Sequence, residues 1–238
     1  MAMKIRGVNM VPRSRSSETN NDSETNLSVN PADPRQIAGT AFTPSGGPNT
    51  PIYLSSDGGE TWTLAAIVPG GTGDFNVKFS SKALYGGNLR PAFGLTMDVL
   101  RTTNTFGGAL MTVIDARPPG PNFFDQPWVQ TWTVQKGPDA GKDRLYVGCN
   151  DLTIFPGATA SIDLSPDGIA GTPAFTLVRL DSRGTAGHDG PSVRAAVHRK
   201  ARSMRPSSVG ALLGGRPTVT SSWSATTTGA PERRRSRI

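Results

Sequence analysis

The sequence predicts an all-β protein assembled from four-stranded antiparallel units. Three observations lead there: an eight-residue turn motif flanked by strand formers, a chain-long repeat of about 50 residues, and no window with a sustained, capped helical period. Gly 28 and Pro 20 in 238 residues suit many short strands joined by turns, and a chain of this length can form one large all-β domain.

The turn motif is Ser55-Ser56-Asp57-Gly58-Gly59-Glu60-Thr61-Trp62. It fits Ser-x-Asp-x-Gly-x-Thr-Trp, the Asp-box pattern, in which a tight turn joins two strands of one sheet. Gly58 and Gly59 permit the positive φ angles of such a turn, and Ser55 and Asp57 can hydrogen-bond its amides. Thr61 completes the pattern, and Trp62 starts the next strand, where its ring can cover the turn. Pro51-Ile52-Tyr53-Leu54 before the box and residues 63–68 after it are rich in strand formers.

Four segments begin with an acid and a turn-friendly pair and then enter a strand. They start at Glu24, Asp74, Asp125 and Asp189, with separations of 50, 51 and 64 residues. Each interval is the length of a four-stranded propeller blade with its loops. Second strands are expected over 36–42, 83–87 and 143–148. In the first repeat the third and fourth strands flank the box. In the second they are expected over 95–101 and 110–115. In the third, a worn box, Ser165-Pro166-Asp167-Gly168, leads through an insertion to a strand over 175–180. The fold expected is therefore an incomplete β-propeller of about three to four antiparallel blades over residues 23–198, after a loose leader over 1–22.

The box, the opening Glu24-Thr25-Asn26-Leu27-Ser28-Val29-Asn30-Pro31 with Asp33-Pro34 after it, and Asp143-Arg144-Leu145-Tyr146-Val147-Gly148 together resemble bacterial BNR/Asp-box proteins of the sialidase superfamily. The resemblance covers residues 22–198. It implies a six-bladed propeller, often secreted, and a glycoside hydrolase that removes terminal sialic acid. Such enzymes hold the sugar carboxylate with three arginines and attack with a tyrosine paired with a glutamate, while an aspartate serves as acid/base. No Phe-Arg-Ile-Pro-like motif precedes the first box, and Tyr53, Tyr85 and Tyr146 lie in expected strands among apolar neighbours. No catalytic residue transfers by motif, so the chain is expected to be an inactive fragment of a sialidase-like hydrolase. The alternative is a non-catalytic propeller that binds glycan or protein partners at the mouth of its channel.

The residues themselves point to one binding arrangement. If the repeats are equivalent, Glu24, Asp74, Asp125 and Asp189 ring one end of the central channel, opposite the box. Such a ring could share a proton or hold Ca²⁺. Otherwise each acid caps its own turn by accepting backbone N–H bonds. Trp128 and Trp132 share one strand face and could stack on a sugar ring, or serve as core. No metal-ligand cluster and no other cofactor is indicated. Cys149, the single cysteine, is expected to be a buried thiol.

Net charge +7 would suggest a nucleic-acid partner, but its distribution argues against one. Residues 199–238 carry nine Lys or Arg and one acid, or +8, and the remainder carries −1. After His198 the strand pattern stops. A shifted reading frame accounts for the change: with ordinary codons, the stretch after Arg199 read two bases on encodes Gly-Thr-Val-Tyr-Ala-Ala, a second strand for the fourth repeat. Residues from about 199 are then expected not to descend from a selected protein sequence; the other reading is a basic tail for polyanions. No apolar run approaches a membrane span, and Lys4 and Arg6 precede no apolar stretch of a signal peptide, which leaves the compartment open.

Overall fold

The computed structural model describes residues 7–8, 23–42, 52–70, 73–90, 96–117, 124–151, 159–179 and 194–197. The expected leader over 1–22 therefore lies almost wholly outside the described residues, and the basic segment over 199–238 entirely outside them. Twelve strands and one 3-10 turn are described. They are β1 (Ser23–Val29), β2 (Ile37–Phe42), β3 (Ile52–Ser55), β4 (Thr63–Ala65), β5 (Phe75–Phe79), β6 (Leu84–Arg90), β7 (Thr96–Thr102), β8 (Thr112–Arg117), β9 (Phe124–Thr133), β10 (Asp143–Asp151), β11 (Thr159–Ser165) and β12 (Thr176–Arg179). The 3-10 turn is Thr105–Gly107.

These strands make three four-stranded sheets, β1–β4, β5–β8 and β9–β12, each in sequence order and antiparallel throughout. Nearest-neighbour connections need only short loops, which is the role of the Gly- and Pro-rich turns. None of the three sheets closes on itself.

Sheet 2 is buried on both faces. One face packs Phe75, Val77, Phe79, Leu84 and Leu100 against Ala38, Ile52 and Leu54 of sheet 1. The other packs Tyr85, Leu89, Met97 and Val99 against Val129, Leu145, Val147 and Cys149 of sheet 3. Cys149 is the buried free thiol expected, its pKa pushed up to about 11 by burial.

The first strands of successive sheets lie side by side and are tied by side chains. The Val77 N–H donates to Asn26 Oδ1 (3.0 Å) and the Phe79 N–H to Ser28 Oγ (2.8 Å). The same bond recurs one sheet on, where the Val129 N–H donates to Asn76 Oδ1 (2.9 Å). Asn26 and Asn76 are therefore equivalent, and the sheet-to-sheet step repeats. By register Trp128 holds the same position in β9: Asn26 pairs with Thr40, Asn76 with Gly87 and Trp128 with Gly148.

Close approach explains the glycines of β6. A Cβ at Gly86 would stand 2.8 Å from Phe75 Cζ, and one at Gly87 would stand 2.9 Å from Val129 Cγ2. Gly87→Ala is expected to cost about 1–2 kcal/mol by forcing sheets 2 and 3 apart. A lower denaturant midpoint with an unchanged m-value would report it, and an unchanged midpoint would refute this account of Gly87.

Two elements differ from expectation. β4 ends at Ala65 rather than 68. Ile67 and Val68 leave the sheet and turn into the core between sheets 1 and 2, where Ile67 O accepts from the Met111 N–H (2.7 Å). β11 carries no hydrophobic signal on its inward side, because Ser161, Asp163 and Ser165 are the buried positions.

Candidate functional site

At one end of the sheets, the turn over 55–62 is closed by its own side chains. Ser55 Oγ donates to Asp57 Oδ1 (2.8 Å) and accepts from the Gly59 N–H (2.9 Å). Asp57 accepts from the Thr61 hydroxyl (2.6 Å) and the Thr61 N–H (2.9 Å). These bonds, the Thr61 hydroxyl first, hold the Asp57 carboxyl well below the usual carboxylate range. Gly58 and Gly59 take φ of 79° and 91°, and Trp62, buried beside them, donates its indole N–H to Gly59 O (3.0 Å). The side chains of Ser55, Asp57, Thr61 and Trp62 are thus all engaged within the turn. In the worn box, by contrast, Ser165 Oγ and Asp167 Oδ1 have no hydrogen-bond partner.

Between sheets 1 and 2, at this same end, lies a cleft of about 270 Å³. Asn30 and Gln36 from the β1–β2 turn form one wall, Ser81 and Lys82 from the β5–β6 turn another, and Asn104 and Phe106 from the β7–β8 connection the third. The Asn30 amide donates to Gln36 Oε1 (2.8 Å), and Asn30 Oδ1 accepts from the Ala32 N–H (2.9 Å). The Lys82 amine is held by Gly141 O.

The opposite end receives the acids singled out in the sequence. Asp74 immediately precedes β5, and Asp125 is the second residue of β9; both are half-buried. Asp125 Oδ1 accepts from the Gln126 N–H (2.9 Å), and Gln126 adopts φ 50°, the left-handed region a non-glycine residue seldom enters. The irregularity falls where the β9–β10 register shifts between Gly148 and Asn150, which brings Asp125 opposite Asn150. Glu24 lies in β1 with its side chain outside the described residues, and Asp189 lies outside them altogether. Among the described residues no group of three or more His, Cys, Asp or Glu could hold a metal ion. Trp128 is half-buried, with the Arg194 guanidinium 4.6 Å above its ring.

Also at this end, a buried ionic network joins sheets 2 and 3. Arg117, at the end of β8, reaches Asp151 of β10 (2.8 Å) and Asp163 of β11 (3.1 Å). Its guanidinium lies 4.2 Å from the Phe124 ring centroid. Ser161 Oγ donates to Asp151 Oδ2 (3.1 Å). Burial pushes Asp163 up to about 6, against the pull of Arg117. Asp115, on the neighbouring strand position, is also raised by burial. Sequence reading missed this network, since its members lie 34 and 46 residues apart. The one available signal was the acid within β11, at a position where a strand facing a core should be apolar.

A further buried carboxylate, Asp143, accepts from three hydroxyls: Ser80 (2.6 Å), Tyr85 (2.9 Å) and Thr133 (2.6 Å). Burial, then the Asp143 charge, push Tyr85 far above the usual phenol range. That is the reverse of an activated nucleophile. Among the described residues no helix is long and apolar enough to cross a membrane. No family model, curated protein or solved structure matches the chain.

Proposed function

We propose that the chain is a non-catalytic arc of an Asp-box β-propeller, similar to those of the sialidase superfamily, and that it binds glycan. The observation that carries the architecture is the repeated bond from a first-strand asparagine to the next first strand, Asn26 to Val77 and Asn76 to Val129. Equal steps between equivalent strands support blades set about a common axis. Arg194 lies over Trp128, the third equivalent position, which supports a fourth segment beside β9.

Hydrolysis is not part of the reading. The Tyr85 hydroxyl is spent on Asp143 in the core, and Arg117 is committed to two buried carboxylates rather than offered to a ligand. What the chain does offer is a polar cleft at the box end of a β scaffold, a suitable base for reading hydroxyl groups.

Screening the full chain on immobilised glycans, beside a fluorogenic sialoside assay, tests the proposal. Retention on one glycan class without turnover is expected. Retention on none would refute glycan binding, and enzyme-dependent fluorescence would replace the reading with an active hydrolase.

A further inference from the structure

We infer that the cleft between sheets 1 and 2, walled by Asn30, Gln36, Ser81, Lys82, Asn104 and Phe106, binds a single neutral sugar ring. The inference rests on the glycan-binding reading above and adds the place and the ligand class. The place is the box end, away from the acids Asp74 and Asp125.

Size comes first. At about 270 Å³ the cleft falls just short of the roughly 300–1,000 Å³ of pockets for drug-sized molecules, which suits one ring and not a chain. Donor and acceptor chemistry comes next. Asn30 is fixed by its bonds to Gln36 and Ala32, so Gln36 presents a positioned amide whose N–H₂ has no hydrogen-bond partner. The Asn104 amide has none either, and it rests against Gly107, where any side chain would collide with it. An amide both donates and accepts, as each sugar hydroxyl does, so two oriented amides can read two neighbouring hydroxyls.

The apolar contact is Phe106. It stands 41% exposed on a single 3-10 turn at the rim, where an aromatic ring can cover the C–H face of a sugar. Buried Phe79 lies beneath. Charge decides between sugar classes. The lining holds no carboxylate, and its one cation, Lys82, is tied to the Gly141 carbonyl in the neighbouring turn. A neutral ring can therefore pair two of its hydroxyls with these amides, and a carboxylated one has no free bidentate cation to hold it.

Backbone-resolved NMR titration of the full chain with galactose, N-acetylglucosamine and N-acetylneuraminic acid tests this. A neutral sugar is expected to shift the amides of Gln36, Asn104 and Phe106 with roughly millimolar affinity, as about a dozen heavy atoms allow. Phe106→Ala and Asn104→Ala should each weaken it about tenfold, and both sites are exposed enough that the fold should persist. Binding that ignores both substitutions but falls with Asp125→Asn or Trp128→Ala would overturn the cleft and leave glycan binding intact. Tighter, Lys82-dependent binding of the acidic sugar would overturn the neutral class. No shift with any sugar, together with no retention on immobilised glycans, would overturn both readings.

Discussion

Arg117→Met is expected to destabilise the protein by about 3–5 kcal/mol. The guanidinium is bonded to both Asp151 and Asp163, and both carboxylates are nearly inaccessible to water. Removing it leaves two like charges facing each other across β10 and β11 in a low-dielectric interior. Methionine restores much of the volume, so the loss is electrostatic and not a cavity. The damage should also be local at first. Sheets 2 and 3 meet through this network and through the apolar cluster of Met97, Val129 and Val147, while sheet 1 packs on the other face of sheet 2. Hydrogen exchange should therefore accelerate in β8 to β11 before β1 to β3. Equal protection in wild type and variant, with the same denaturant midpoint, would show that the network is energetically idle.

That network also marks the limit of what the sequence discloses. The box was legible because its bonds are local: none of those joining Ser55, Asp57, Gly59 and Thr61 spans more than four residues. The repeat was legible because the same acid-and-turn opening returns at each first strand, and the bonds it frames span 51 and 53 residues. β11 was not, for a physical reason. An inward-facing strand normally shows apolar residues at alternate positions, yet Ser161, Asp163 and Ser165 occupy them here. Arg117 makes Ser161 and Asp163 tenable there, and a residue 46 positions away leaves no trace in the local pattern. The cleft was hidden likewise, because its walls come from three separate turns of two sheets. The ring of acids rested on exact equivalence of strand entries. The bulge at Gln126 shows that β9 keeps this equivalence only by inserting a residue.

Asp163 should make the protein more stable in mild acid than at neutral pH. Its carboxyl ionises at about 6 in the folded chain and near the ordinary aspartate value of 3.8 when unfolded. Between those values the folded state keeps a proton that the unfolded state has released, so stability falls as pH rises through that window. The stabilisation is complete below about 4 and gone above about 6, and its span is about 2–3 kcal/mol. Raised Asp98 and Asp115 act in the same direction, and lowered Asp33, Asp57 and Asp139 act oppositely at more acid pH. Comparison with Asp163→Asn separates the one group from these, because they are common to both proteins. Asparagine copies the neutral carboxyl and can still accept from Arg117, while Asp151 keeps the guanidinium paired. At pH 7.5 Asp163→Asn should thus be more stable than wild type by up to about 2 kcal/mol, and at pH 4 the two should coincide. The sign sets this position apart from Arg117. Loss of the cation exposes two buried charges, whereas loss of one carboxylate charge leaves a matched pair. Chemical denaturation at pH 4, 5, 6 and 7.5 measures both curves. Parallel curves, or a variant less stable at pH 7.5, would mean that Arg117 already compensates Asp163 in full.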